Sequence, residues 1–127
     1  MKTLRLLIAD DDPEIRLWLE AGLEQEGAEI VGAESGAELV DLLSREGPFD
    51  LVISDVRMSW ATGLQALSMA RGAGIETPFV LITAHADPPT RRAAAALGAL
   101  LLEKPLDIEV LSRLVAEISE RGAARAG

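Results

Sequence analysis

Residues 4–13 read LRLLIADDDP, a mostly apolar run that ends in three acids and a proline. The run 4–9 has the length and composition of a strand buried on both faces. Asp12-Pro13 then supplies a helix N-cap with proline at the first helical position. A buried strand thus enters a helix through an acidic turn that holds Asp10 and Asp11. In an open parallel sheet, ligands bind outside the carboxyl ends of the strands. Three more apolar runs end in comparable residues: 51–53 before Asp55, 79–82 before Thr83, and 100–102 before Lys104.

The rest of the chain alternates strand and helix signals. Ile15, Trp18, Leu19, Gly22 and Leu23 follow helical spacing, and Gly27 stops that helix. Residues 28–33 read as a second strand. Ser35 and Glu38 are spaced as a capping box that opens a helix to about Arg45, broken by Gly47-Pro48. A third strand spans 51–54. Thr62 and Gln65 repeat the capping-box spacing before a helix to about Arg71, which Gly72 to Gly74 end. The fourth strand, 79–83, follows Pro78. After Asp87-Pro88-Pro89 comes an alanine-rich helix expected over 90–97, with Gly98 as its stop and a weak apolar face. The last strand is 100–102. Asp107 caps a final helix with apolar Ile108, Leu111, Val115 and Ile118.

Five β–α units imply an α/β fold, a doubly wound parallel sheet with helices on both faces. The flavodoxin-like order 2-1-3-4-5 puts the switch point between strands 1 and 3, which end in Asp10-Asp11 and Asp55. One domain is expected over residues 1–121, with 122–127 as a short flexible tail.

At 127 residues the chain can bury roughly two-thirds of its unfolded surface in one core. It has no cysteine, so disulfides and thiolate metal sites are excluded, and His85 is its single histidine. No secretory layout or membrane-length apolar stretch is present, and a cytoplasmic protein is the simplest expectation. Lys and Arg number 12 against 21 acids, for a net charge of −9. Direct nucleic-acid binding relies on neutralising phosphates and is not expected.

Three carboxylates held together repel one another, and a hard divalent cation relieves that repulsion. Mg²⁺ suits such a site because it takes oxygen ligands and keeps waters that substrate oxygens replace. Asp55 can then serve as a nucleophile that forms an aspartyl phosphate. Lys104 offers a positive point charge and Thr83 a hydroxyl donor to the transferring phosphoryl oxygens. Asp12 reads as a cap only, and Thr62 likewise.

The stretches LLIADDDPEIR, DLVISDVRM, TGLQAL, VLITAHAD and LEKPLD together resemble the receiver domains of two-component response regulators, the CheY-like family. The resemblance covers residues 4–118. It implies that Asp10 and Asp11 serve the Mg²⁺ site and that Asp55 is the phosphoacceptor, with the backbone carbonyl of Arg57 as a further ligand. Thr83 and Lys104 match the phosphate-contacting residues, and the Lys104–Pro105 bond is expected to be cis. The phosphoryl donor would be a histidine kinase or a histidine phosphotransfer protein, the output would occur in trans, and a homodimer is compatible. Self-catalysed phosphotransfer and hydrolysis are implied, not a separate enzyme activity.

Three departures from the family pattern stand out. Leu101 occupies the position where an aromatic switch residue is usual, and the segment from Gly98-Ala99 to Lys104 is one residue short. The loop after Asp55 reads MSWATG where the family often reads MPGMDG, and it places Trp60 near the acceptor as a candidate sensor of ligand binding. His85 and Arg57 sit where side chains can influence phosphoryl lifetime. Leu100 and Leu101 fit either a partner patch or burial in the strand. The rival readings are a pseudo-receiver that binds partners without cycling phosphate, and a flavin module of the same fold, which the acidic loop after strand 1 disfavours.

Overall fold

The computed structural model describes residues 3–24, 27–58 and 62–126. Five strands alternate with five helices: β1 (Arg5–Ala9), α1 (Pro13–Glu24), β2 (Glu29–Ala33), α2 (Gly36–Glu46), β3 (Leu51–Asp55), α3 (Gly63–Gly72), β4 (Phe79–Thr83), α4 (Pro88–Ala96), β5 (Leu100–Glu103) and α5 (Ile108–Ala126). All strand pairs are parallel and the order is β2-β1-β3-β4-β5, as the sequence predicts.

The pleat divides the apolar residues between two cores. Leu6 and Ile8 join Leu51, Ile53, Val80 and Ile82 against Leu19 and Leu23 of α1 and Leu111 and Val115 of α5. Leu7, Ala9, Val52, Phe79 and Leu81 face the other way, against Leu39, Leu43, Ala66, Leu67, Ala70 and Ala94 of α2, α3 and α4. Ala94 is the one fully buried residue of α4, in keeping with that helix's weak apolar face.

Local capping follows the sequence with three differences. Thr62 and Gln65 close a full capping box. At α2 the Ser35 hydroxyl accepts from Glu38 N–H, but the Glu38 carboxylate reaches back to Glu34 N–H instead of Ser35 N–H, one residue earlier than the motif predicts. The α4 helix begins at Pro88, two residues before its expected start. Asp87 is the cap and both prolines occupy the first turn, where a missing N–H costs nothing. The backbone of α5 continues to Ala126, past the boundary expected for a tail, through a segment rich in alanine and arginine, both strong helix formers. Both Lys104–Pro105 and Gly47–Pro48 are cis. Gly98 has φ +73°, which lets the chain turn from α4 into β5 across Leu97, Gly98 and Ala99.

Arg71 fastens this part of the fold. Its guanidinium donates to the carbonyls of Leu97, Ile75 and Thr77 at 2.9–3.0 Å and lies over the Phe79 ring. Three acceptors lose a partner in Arg71→Ala, so that variant should lose about 2–3 kcal/mol of stability. Urea denaturation followed by far-UV circular dichroism checks this, as a lower midpoint at an unchanged slope.

Candidate functional site

The carboxyl ends of β1, β3, β4 and β5 form one edge, and backbone hydrogen bonds fix it there. Asp10 N–H donates to Ala33 carbonyl, Val56 N–H to Ile82 carbonyl, and Lys104 N–H to Thr83 carbonyl, at 2.8–3.1 Å. Asp10, Asp55 and Thr83 are buried, at 3, 7 and 4 % exposure, whereas Asp11 is exposed.

Asp55 uses both carboxylate oxygens. Oδ2 accepts from Lys104 Nζ at 2.8 Å, and Oδ1 accepts from Arg57 N–H at 2.9 Å. Beneath it, Gly63 packs so close that a Cβ there would collide with the Asp55 carbonyl oxygen, which also accepts from the buried Ser54 hydroxyl at 3.0 Å. Asp10 Oδ1 accepts from Asp12 N–H at 2.9 Å, and Asp12 Oδ1 in turn caps α1 through Glu14 N–H.

Burial raises the Asp10 carboxyl from its ordinary 3.8 to about 6; the charges of Asp55 and Asp11 push the same way, against the Asp12 N–H and Lys104. For Lys104, burial works against the ammonium. The hydrogen bond and charge of Asp55, with Asp10 and Asp12 behind it, outweigh that and hold its pKa above the ordinary value.

The Thr83 hydroxyl exchanges hydrogen bonds with His85, accepting from its N–H and donating to its carbonyl, both at 3.2 Å. The side chains of His85 and Arg57 are exposed, and Pro105 is exposed beside the cis bond. Leu101 is half-buried against the α2–α4 core, whereas Leu100 is 45 % exposed. Trp60 lies outside the described residues.

Two residues escaped the sequence reading. Arg16 donates Nη1 to the Asp10 carbonyl at 2.6 Å while its other end pairs with Glu34, so it props the turn that carries Asp10. Glu103, the neighbour of Lys104, reaches the loop after β4. A charge ending an otherwise apolar strand is the one signal that could have pointed to Glu103.

Among the described residues no group of three or more His, Cys, Asp or Glu side chains is arranged to hold a metal ion. The donor set still fits Mg²⁺, which takes one or two carboxylates and keeps waters. Asp10 and Asp55 repel each other across the edge with one ammonium between them, and an added cation would relieve this.

The chain as a whole matches a known type. A family profile described as the response regulator receiver domain matches residues 6–116. The chain belongs to the response regulator receiver domains. It is 37% identical over 123 residues to the transcriptional regulatory protein GlrR of Escherichia coli, covering 96% of this chain and 28% of that protein. The response regulator protein PilR of Pseudomonas aeruginosa is 36% identical over 117 residues, which is 91% of this chain and 26% of that protein. The receiver therefore spans about a quarter of the length of these two relatives. Among solved structures, chemotaxis response regulator CheY4 of Vibrio cholerae superposes with a TM-score of 0.82 at 28% identity, over 92% of this chain and 99% of that one. The Francisella response regulator 1452 receiver domain gives 0.87 at 25% identity, over 94% and 99%.

The raised Asp10 carboxyl makes the receiver's stability depend on pH. Between 3.8 and about 6 the native state holds a proton that the unfolded chain has lost, so stability falls as pH rises through that window. Asp10→Asn removes the buried charge. Without divalent metal it should stabilise the protein by about 1–3 kcal/mol at pH 7.5, with the gain vanishing near pH 4. Denaturant midpoints of the two proteins across that pH range check both the sign and the window.

Proposed function

We propose that this receiver accepts a phosphoryl group on Asp55 in a Mg²⁺-dependent reaction and passes the resulting change to an output protein in trans. The observation that carries the reading is Lys104 Nζ at 2.8 Å from Asp55 Oδ2, beside buried Asp10, with the Thr83 hydroxyl at the end of the next strand. The donor would be a phosphohistidine on a histidine kinase or a phosphotransfer protein, and the setting cytoplasmic. A homodimer is compatible with this reading.

A carboxylate oxygen of Asp55 attacks phosphorus, and the bond from phosphorus to the departing imidazole breaks as the acyl phosphate forms. Mg²⁺, held by Asp10, Asp11, Asp55 and the Arg57 carbonyl, would supply charge neutralisation for the phosphoryl oxygens. Lys104 is free to follow the negative charge from the carboxylate to a phosphoryl oxygen, because its ammonium is a mobile point charge on a flexible stem. The Thr83 hydroxyl can leave His85 and donate to another phosphoryl oxygen. That exchange shifts the loop after β4 and biases α4 between two positions. Water later attacks the phosphorus and restores the Asp55 carboxylate. His85 and Arg57, both exposed, would influence how fast that water arrives.

A complete acceptor set gathered on one edge gives the pseudo-receiver reading no support, and the acidic first loop likewise gives none to a flavin. The direct test is intact mass after incubation with Mg²⁺ and acetyl phosphate. Wild type should gain one phosphoryl group and Asp55→Asn none. Thr83→Ala should still be labelled, because it lacks the switch contact and not the nucleophile. Absence of an adduct on wild type, together with no response to beryllofluoride, would overturn the phosphoacceptor reading.

A further inference from the structure

Glu103 sits at the end of β5, paired in register with Thr83 at the end of β4. Paired residues on neighbouring parallel strands project to the same face, so Glu103 shares the α4 side of the sheet with Thr83, two residues along the strand from Leu101. From there its Oε1 accepts from Ala86 N–H at 3.2 Å. The carbonyl of Ala86 accepts from Arg91 Nε of α4 at 2.9 Å. Ala86 is therefore held from both sides, by the end of β5 and by α4. One residue before it, the N–H and carbonyl of His85 engage the Thr83 hydroxyl at 3.2 Å.

We propose that Glu103 is a positioning residue that ties the loop after β4 to the end of β5 and so sets how readily the Thr83 hydroxyl is released toward a phosphoryl group on Asp55. The proposal rests on the phosphoacceptor reading of this site. Thr83 cannot donate to a new oxygen without giving up its donation to the His85 carbonyl, one of its two contacts with that residue. While Ala86 is clamped, the His85 backbone is kept where those contacts are best. Leu101 has neither a ring nor a polar group with which to report on the loop, so in this receiver the polar link between β5 and the loop runs through Glu103. The same residue directly precedes Lys104, whose ammonium holds Asp55. A shift of the loop is thereby coupled to the strand end that carries the acceptor's counter-charge.

The test compares Glu103→Ala, which removes the acceptor, with Glu103→Gln, which keeps an amide oxygen at the same reach. Two readouts are taken on the full chain. The first is hydrogen exchange of the Ala86 amide by NMR without phosphoryl ligand. The second is the concentration of beryllofluoride, with Mg²⁺, that half-saturates the chemical-shift change at Thr83. Glu103→Ala should speed Ala86 exchange and tighten beryllofluoride binding by about three- to ten-fold, the size expected for one lost hydrogen bond. Glu103→Gln should stay close to wild type in both. Equal behaviour of the two variants, or an Ala86 amide indifferent to both, would overturn the proposal. If wild type itself fails to bind beryllofluoride, the phosphoacceptor reading falls and the proposal falls with it. Normal wild-type binding with unaffected variants rejects the proposal alone.

Discussion

Two buried carboxylates and one ammonium decide how this edge of the sheet is organised. Asp10 and Asp55 end adjacent central strands because the 2-1-3-4-5 order inserts β1 between β2 and β3. Each extends the row of side chains that begins with Leu6 and Ile8 on β1 and with Leu51 and Ile53 on β3, which faces α1 and α5. Lys104 extends the corresponding row of β5 past Leu102 and so arrives on the same side. Thr83 belongs to the opposite row, behind Leu81, together with its partner Glu103. The pleat alone thus sorts the edge into a charge cluster on one side and a hydroxyl with its tethers on the other. A one-residue slip of any of these strands would exchange the two sets.

That arrangement works against stability in the free protein. A carboxyl that burial raises to about 6 must be ionised at neutral pH, and the ion pair of Lys104 is committed to Asp55, not Asp10. The opposing contributions lie elsewhere: apolar packing on both faces of the sheet, full capping at α3, and the Arg71 clasp behind the opposite end of β4. Among the described residues no buried side-chain polar atom is left without a partner, so the edge is strained by charge and not by missing hydrogen bonds. Strain of that kind is relieved by a cation or redistributed by adding phosphoryl oxygens, and this makes the edge responsive where the rest of the fold is not.

Most of this was legible from the sequence because the signals were local. Strand boundaries followed apolar runs, and the caps at Ser35 and Thr62 followed short-range spacing. The start of α4 was misplaced because two successive prolines look like a break, although the first turn of a helix accepts both. The reciprocal arm at α2 slipped to Glu34 because a flexible glutamate can reach either of two neighbouring N–H groups. Arg16 and Glu103 were missed for a different reason. Each acts on the backbone of a residue outside its own element, the carbonyl of Asp10 for one and the N–H of Ala86 for the other, and a backbone group carries no residue-type signature. The ion pair between Lys104 and Asp55, by contrast, could be anticipated from the topology because two charged side chains had to meet at one edge.

The packing of α4 shows why so much of its control is polar. Only Ala94 is fully buried, so apolar burial gives this helix little hold on the sheet. Its carboxyl end is fastened through the Leu97 carbonyl to Arg71, and its amino end through Arg91 and the Ala86 backbone to Glu103. Hydrogen bonds of this kind contribute about 0.5–1.5 kcal/mol each, and each is either made or broken. An element held by a few such contacts can be moved between discrete positions by a comparably small free energy, whereas one locked by several buried leucines cannot. The leucine at position 101 is compatible with this scheme, since coupling carried by Glu103 and Arg91 does not need a ring that moves between core and surface.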